Sequence, residues 1–388
     1  MAFIMNVRAS PSTYSSTYSS TYSSTYSSTY SSAYSTTYST TYAPTYTPTY
    51  TPTYTSTPTF TPTATATPSS ANAILDALKE FCKNNPDSPK CDHVESFYEY
   101  RPSLAANAIF LGLYSASFLG FAVTWALTRR AGAFNVALML GLLCEIFGYA
   151  GRVMSASNPW EEAGFMIQIC CLTIGPAFMA AGCYLCLRRI VAAFGPENSK
   201  LKPQHYTRLF IPCDFVSLVL QATGGALAAI AVQDHESPDT GTDIMISGLI
   251  FQVLTGLAFV VAALDFALRI VRRRKILGDA ALSQDPVLVR MRATLRFKLF
   301  LGALAAASVL ILWRSCFRVA ELSDGWSGPI MADEPMFIGF EGVLVLLAAG
   351  VLNVLHPAVC ARELFEEGKK GDEAALEKAA TDEGSQRG

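Results

Sequence analysis

The 388-residue chain is 51% hydrophobic and only 15% charged, and its mean hydropathy is positive. Such a composition excludes an ordinary soluble domain and indicates a membrane protein. The formal net charge of -2 provides no overall basic field, so we expect no nucleic-acid partner. Most of the ten cysteines lie in apolar stretches, where a thiol packs as a small hydrophobic group, so we expect neither a metal site nor a cofactor.

Residues 1–70 form a low-complexity arm rich in Ser, Thr, Tyr and Pro. The motif STYS repeats first and TPTY follows, with hardly any charge and no periodic apolar face. Such a segment cannot bury a core, and we expect it to be disordered. It suits either an extended stalk that carries O-linked glycans or a sticky arm that is prone to aggregation. The start of the chain lacks the apolar core of a cleavable signal peptide.

Residues 71–104 form a polar segment before the first apolar run. This segment begins with a short predicted helix from Ala71 to Cys82. Cys82 and Cys91 are the cysteines that lie in polar sequence. If the segment is outside the cell, these two residues are candidates for a disulfide.

Residues 105–357 contain seven apolar runs, each long enough to cross about 30 Å of hydrocarbon at 1.5 Å per residue. Lipid offers no partner for an unpaired backbone group, so we predict an all-α integral membrane protein with seven transmembrane helices. The predicted spans are Ala105–Leu127, Ala131–Ala150, Gly164–Leu187, Leu209–Val232, Ile244–Leu268, Leu299–Ala320 and Met336–Leu355.

The basic residues between the runs follow the positive-inside rule. Lys and Arg crowd three of the links, including RR at 129–130 and RRRK at 272–275, whereas SASNPWEE, QDHESPDTGTD and ELSDGWSGPIMADEP contain neither. The rule places the amino terminus outside, and it places the basic links and the charged tail, residues 358–388, in the cytosol. We call the side that holds the three links without Lys or Arg the outer side.

The sixth run carries Arg314, Arg318 and Glu321 near its predicted outer end. At about 100° per residue these side chains fall on one helix face, so they are expected to point towards a single neighbouring helix or cavity. A charge at the bilayer centre costs about 3 kcal/mol or more without a partner, which favours inward-facing pairs. The alternative is that Trp313 belongs to an aromatic belt and both arginines reach the outer headgroups.

Two other runs supply polar groups in the same outer half. The second run carries Glu145, Tyr149 and Arg152 on one face, and the seventh carries Glu341 below its outer end. The spacing leaves open whether these groups form a structural clamp or a site for a zwitterionic lipid headgroup. The predicted outer polar network consists of Glu145, Arg152, Arg314, Arg318, Glu321 and Glu341.

A second polar stripe lies on the fourth run, where Asp214, Ser217 and Gln221 share a helix face. The fifth run presents Gln252 in a similar stripe. An acid inside the membrane is a candidate for a functional site. The alternative is that these polar groups bind neighbouring helices to one another.

Two features mark the predicted cytosolic ends of the helices. Asp265 is expected to pair with Arg269, because residues four positions apart are neighbours on a helix. His356 and Pro357 are expected to stop the seventh helix, because proline cannot continue the hydrogen-bond ladder.

Seven motifs in chain order resemble the fungal lipid-translocating exporter family, the RTA-like or aminocholesterol-resistance proteins. They are YRPSLAANAIFLGLY, EIFGYAGRV, GPAFMAAGCY, DFVSLVLQATGG, SGLIFQV, WRSCFRVAEL and GFEGVLVLLAAGVLNVLHP. The resemblance runs from about Tyr98 to Pro357 and leaves out the arm. It implies a seven-span protein linked to resistance to toxic sterols and lipids and to movement of sphingoid bases or phospholipids across the plasma membrane. The motif positions carried over are Glu145, Tyr149, Arg152, Asp214, Gln221, Gln252, Arg314, Arg318, Glu321, Glu341, His356 and Pro357.

Three classes of function compete. The resemblance implies a transporter of membrane lipids, and because the chain has no GxxxxGK[ST] loop, we expect it not to be ATP-driven by itself. A seven-helix, receptor-like lipid or stress sensor has the same topology and stays open. An enzyme is not expected, since only one of the four histidines lies at a span, too few for a catalytic zinc site. A homo-oligomer or an auxiliary protein also stays open.

Overall fold

The computed structural model describes residues 68–365 except 92, 93, 95, 97, 99, 235, 326, 327 and 329. The described residues are largely helical and contain no β-strand, so the all-α prediction is confirmed. The predicted disordered arm up to residue 67 and the predicted cytosolic tail beyond residue 365 lie outside the described residues.

Seven helices are long and apolar enough to cross a membrane, which confirms a multi-pass membrane protein. Spans 1 to 6 are Leu104–Thr128, Gly132–Ser157, Glu162–Phe194, Pro203–Gln233, Asp239–Leu277 and Leu295–Ser323. Span 7, Glu334–Cys360, consists of the segments Glu334–Phe337, Ile338–Val343, Leu344–Val354 and Pro357–Cys360. Two further helices are Pro68–Asn84 and Pro286–Ala293, and single 3₁₀ turns are Pro89–Cys91, Pro196–Asn198 and Gly278–Ala281.

Span 5 is longer than its apolar run, because the helix continues into charged sequence after the lipid-soluble part ends. It has 39 residues, about 58 Å at 1.5 Å per residue, whereas a bilayer with its headgroups measures about 40–45 Å. Its last, basic turns therefore project from the bilayer. Near that end, Arg269 Nε and Asp265 Oδ2 lie 2.9 Å apart, so the predicted pair is confirmed.

Consecutive spans pack side by side, and span 7 returns to contact span 1. Span 3 additionally contacts spans 5 and 6 across the bundle. Side chains that point from the other spans towards span 3 are therefore shielded from lipid by protein, which is the location that charged groups in a membrane protein require.

Glycines bring the backbones of neighbouring spans into contact. A Cβ atom on Gly151 of span 2 would lie 2.6 Å from the carbonyl oxygen of Gly164 of span 3. A Cβ atom on Gly224 of span 4 would lie 2.4 Å from the backbone nitrogen of Met245 of span 5. Such close approach lets membrane helices gain van der Waals contact where no hydrophobic force drives them together.

The segment before span 1 packs against the outer end of span 2. Cys82 and Cys91 form a disulfide, which joins the end of the helix Pro68–Asn84 to the following turn. The Asn158 side-chain amide donates a hydrogen bond to the Lys83 carbonyl at 2.8 Å. The disulfide-bonded segment is thereby attached to the same side of the bundle as the link between spans 2 and 3.

The predicted helix stop at His356 is in fact a break followed by another turn. The preceding helix ends at Val354, and His356 Nδ1 accepts a hydrogen bond from the Ala358 backbone at 3.1 Å. The new turn forms because proline is well suited to the first position of a helix. His356 Nε2 lies 2.9 Å from Asn135 Oδ1 of span 2, and since Nδ1 accepts, Nε2 is the donor.

Candidate functional site

Charged residues of spans 2, 6 and 7 meet inside the outer half of the bundle. Arg314 of span 6 and Glu341 of span 7 are fully buried, and the Arg314 Nε and Nη2 atoms both donate to Glu341 Oε1, the former at 3.1 Å. Arg314 Nη2 also donates to the Leu172 carbonyl of span 3 at 2.6 Å. One guanidinium therefore connects three spans.

Glu145 of span 2 lies beside this pair. It is fully buried, and its charged neighbours are Glu341 and Arg314. Gly175 of span 3 makes room for it, since a Cβ atom there would lie 2.7 Å from Glu145 Oε1. Neither carboxylate oxygen of Glu145 has a hydrogen-bond partner in the part of the chain that the structure describes. One guanidinium thus faces two carboxylates.

Arg318 and Glu321 form a second buried ion pair within span 6. Arg318 Nη1 donates to Glu321 Oε2 at 2.5 Å, and the two residues are 5% and 1% exposed. Glu341 is a charged neighbour of both. Since Arg314 is 0% exposed, the alternative in which both arginines reach the headgroups is wrong. We call Glu145, Arg314, Arg318, Glu321 and Glu341 the ionic cluster.

A π-helical turn, Ile338–Val343, carries Glu341 in span 7. The Tyr114 hydroxyl of span 1 donates to the Gly342 carbonyl of this turn at 2.8 Å. The Tyr114 ring stacks on Tyr149 of span 2 with a centroid distance of 5.3 Å, and the Tyr149 hydroxyl has no partner among the described residues. Turns of this kind are rare and occur often at functional sites.

Arg152 does not join the ionic cluster. Its Nε donates to Asn107 Oδ1 of span 1 at 2.7 Å, its Nη2 donates to the Tyr100 hydroxyl at 3.0 Å, and Nη2 lies 3.7 Å from Glu334 Oε1. The guanidinium also lies 3.9 Å from the centroid of the Phe337 ring. We call Arg152, Asn107, Tyr100, Glu334 and Phe337 the Arg152 cap, which covers the outer side of the bundle.

Tyr98 extends this cap towards span 3. Its hydroxyl donates to Gln168 Oε1 at 2.5 Å and lies 3.2 Å from Ser155 Oγ. Burial raises the pKa of Tyr98 to about 12, so the hydroxyl keeps its proton and acts as a donor at neutral pH. Burial also raises the pKa of Tyr100.

The residues of the second polar stripe lie apart from the ionic cluster. The Tyr184 hydroxyl of span 3 donates to Asp214 Oδ2 at 2.8 Å, and the Ser217 hydroxyl donates to the Asp214 backbone carbonyl at 2.7 Å. Gln221 Nε2 donates to Gln252 Oε1 of span 5 at 3.1 Å. The Gln221–Gln252 bond joins spans 4 and 5, whereas Ser217 bonds within its own helix.

The sequence motifs do not show which side chains contact one another across the spans. Tyr114, Tyr184 and Asn107 lie in apolar runs, and Tyr100 and Glu334 lie before the predicted runs Ala105–Leu127 and Met336–Leu355. The signal that the sequence does offer is the pair of glycines that brackets Glu341 in GFEG. No group of three or more His, Cys, Asp or Glu that could hold a metal ion occurs in the described part of the chain.

The chain matches the family model described as RTA1 like protein over residues 138–364, a range that includes the whole ionic cluster. It is similar to the "Sphingoid long-chain base transporter RSB1" of Saccharomyces cerevisiae (strain Lalvin EC1118 / Prise de mousse), with 33% identity over 251 residues, 60% of this chain and 66% of the relative. The chain therefore covers just under two thirds of that relative's length.

Two further relatives come from Saccharomyces cerevisiae. The "Protein RTM1" is 30% identical over 221 residues, 56% of this chain and 66% of that protein. The "Protoporphyrin uptake protein 1" (strain ATCC 204508 / S288c) is 29% identical over 221 residues, 56% of this chain and 67% of that protein. No solved structure matches the chain. The seven spans, the motif order and the match over more than half of its length show that the chain belongs to the RTA1-like family.

Proposed function

We propose that the protein translocates membrane lipids with a cationic headgroup, of the sphingoid-base class, across the plasma membrane, and that this export gives resistance to toxic lipids. The observation that carries the proposal is the unpartnered, buried carboxylate of Glu145. Similarity to relatives named sphingoid long-chain base transporters supports it.

The formal charges of the ionic cluster favour a cationic ligand. The ionic cluster contains two arginines and three glutamates, all of them buried. With every group ionised, the cluster carries one negative charge in excess. An uncompensated charge inside the bilayer costs about 3 kcal/mol or more. A ligand ammonium group beside Glu145 would make the cluster neutral.

The unpaired atoms of the cluster also match an ammonium group. Both oxygens of Glu145 and Oε2 of Glu341 have no hydrogen-bond partner in the described part of the chain. These are three acceptors, and a primary ammonium has three N–H donors. Tyr149 and Arg314 Nη1 are also unpaired there, and they suit the hydroxyl groups next to the amine in a sphingoid base.

The outer part of span 7 is the element that we expect to admit the headgroup. It contains the π-helical turn Ile338–Val343, and a Cβ atom on Gly339 would meet no atom within 4 Å. Movement of this segment would separate Glu341 from Arg314 and open the cluster. The lipid's hydrocarbon chain would stay in the bilayer between spans while the headgroup moves through protein.

On the outer side, an open recess of ≈ 370 Å³ lies against the Arg152 cap. Tyr100, Arg101 and residues 332–335 line it. We propose that the headgroup leaves the ionic cluster through this recess when the cap opens. Since the chain has no GxxxxGK[ST] loop, we propose that the movement does not use ATP hydrolysis by this chain.

The experiment that tests the proposal follows a fluorescent sphingoid base in liposomes that contain the purified full chain. An impermeant reductant destroys the label on the outer leaflet, so the loss of label from the inner leaflet measures translocation. We expect translocation faster than in protein-free liposomes, and a smaller increase for the N-acetylated base, because acetylation removes the cation.

The same assay separates transport from sensing. A receptor-like sensor would leave both lipids on their original leaflets at the protein-free rate, and that result would contradict the proposal. An equal acceleration of the cationic and the acetylated lipid would contradict recognition of the amine. Asp265→Asn is the matched control variant, because Asp265 is paired with Arg269 away from the ionic cluster.

A further inference from the structure

Asp214 of span 4 is a buried carboxylate without a cationic partner. It is 5% exposed, its Oδ2 accepts a hydrogen bond from Tyr184, and its Oδ1 has no partner among the described residues. No Lys, Arg or His of the described chain forms an ion pair with it. Asp214 thus differs from Glu341, whose charge is neutralised by Arg314.

A small cavity of ≈ 30 Å³ lies beside Asp214, between spans 3, 4, 5 and 6. A cavity of this size holds about one water molecule, so it excludes a lipid headgroup. The residues that line it with polar or titratable side chains are Cys183, Tyr184, Asp214, Gln252, Ser308 and Ser315.

Two serine hydroxyl groups beside the cavity act there as acceptors. The Ser308 hydroxyl donates to the Leu304 carbonyl at 2.8 Å, and the Ser315 hydroxyl donates to the Ile311 carbonyl at 3.0 Å. Both hydroxyl oxygens therefore have only lone pairs left to offer. Together with Asp214 Oδ1 they favour a proton or a water molecule over an anion.

Few titratable groups face Asp214. Span 3 presents Tyr184 and Cys183, and Cys213 belongs to the same helix as Asp214. Spans 5 and 6 line the cavity without a charged or titratable side chain. The protonation of Asp214 is therefore governed by its own environment and not by a nearby ion pair.

We propose that Asp214 is the proton-carrying residue that couples lipid translocation to a transmembrane proton gradient. This inference rests on the proposed function, because it names the driving force for the same translocation. Span 6 connects the two sites, because it carries Ser315, which lines the cavity, and Arg314, which belongs to the ionic cluster.

In this exchange one proton and one cationic lipid move across the membrane in opposite directions. Asp214 Oδ1 takes one proton from water on the outer side and later gives it to water on the cytosolic side, while one cationic lipid moves outward. The Tyr184 hydroxyl keeps its own proton and donates to Oδ2 throughout. One positive charge moves in each direction, so the exchange transfers no net charge across the membrane.

The test uses the full chain in liposomes with a pH-sensitive dye inside, and unlabelled sphinganine as the amine. For the wild type we expect a pH gradient to change the rate of sphinganine movement and sphinganine movement to change the internal pH. Asp214→Asn, which keeps the side-chain shape, should lose both effects. Asp265→Asn should retain both effects.

A second measurement does not depend on transport. Infrared difference spectra between acidic and alkaline samples should show the C=O band of a protonated carboxyl group in the wild type, and part of that band should be absent in Asp214→Asn. Identical difference spectra of the two proteins would overturn the proposal, because Asp214 would then carry no exchangeable proton.

The outcomes separate this inference from the proposed function. If the rate of sphinganine movement does not depend on the pH gradient in the wild type or in Asp214→Asn, proton coupling is overturned and the proposed translocation stands. If sphinganine never moves faster than in protein-free liposomes, the proposed function and the coupling both fail. If the rate of sphinganine movement depended on sodium at constant pH, and Asp214→Asn removed this dependence, proton coupling would be overturned. The cavity would then be assigned to a metal cation.

Discussion

Arg314→Ala is expected to abolish lipid translocation and to lower the stability of the bundle by about 3–5 kcal/mol, the usual cost of breaking a buried ion pair from one side. The change removes the cation that is hydrogen-bonded to Glu341 and lies beside Glu145, and it removes the hydrogen bond to Leu172. Thermal unfolding in detergent micelles and the liposome assay measure the two effects separately.

A double variant separates the effect on lipid translocation from the effect on stability. Replacing a buried ion pair by apolar side chains of similar volume is often neutral for stability. We therefore expect Arg314→Met combined with Glu341→Met to unfold at a higher temperature than Arg314→Ala and still to translocate no lipid. Wild-type translocation by a well-folded double variant would show that the pair is only a structural clamp.

Glu145→Gln is expected to remove translocation of the cationic lipid without loss of stability. In the described part of the chain Glu145 makes no hydrogen bond, and it lies beside a second carboxylate, Glu341. A hydrogen bond to a charged group contributes about 1.5–3 kcal/mol, so affinity for the amine should fall by about tenfold to a hundredfold. Equilibrium binding of sphinganine to the protein in nanodiscs measures this change.

The control for this prediction is Glu162→Gln, the same substitution at an exposed position in the first turn of span 3. It should bind sphinganine as the wild type does. An unchanged affinity in Glu145→Gln would contradict recognition of the amine by the ionic cluster. A large fall in its unfolding temperature would instead assign Glu145 to the structure.

Helix periodicity and charge position could predict much of the bundle and of the site. The spacing of Arg314, Arg318 and Glu321 placed them on one face, and the structure buries all three. The reason is physical, since each helix is regular and lipid tolerates no unpaired charge. Periodicity within one helix, however, carries no information about the rotation and axial position of the next helix.

The pairing of the charges depends on such relations between helices. Arg314 pairs across to Glu341, whereas Arg318 pairs with Glu321 of its own span. Arg152 shares a helix face with Glu145, but seven residues correspond to about 10 Å along the axis. It therefore contacts Asn107, Tyr100 and Glu334 instead of the ionic cluster.

Two local features were also beyond the sequence motifs. The π-helical turn Ile338–Val343 differs from an α-helix in its hydrogen bonding but not in its composition. The bond from Tyr184 to Asp214 joins residues thirty positions apart on different spans. Both arise from packing in three dimensions, which explains why Asp214 could be singled out from the sequence and its partner could not.

The most direct test of the central claim locates the headgroup by photo-crosslinking. A sphingoid base with a photoreactive group beside the amine is bound to the protein in nanodiscs and irradiated, and the labelled residues are identified by mass spectrometry. We predict labels on spans 2, 6 and 7 around Glu145, Arg314 and Glu341, and a strong reduction of these labels in Glu145→Gln. Labels confined to exposed apolar side chains such as Trp313 and Phe147, and equal in both proteins, would contradict the account.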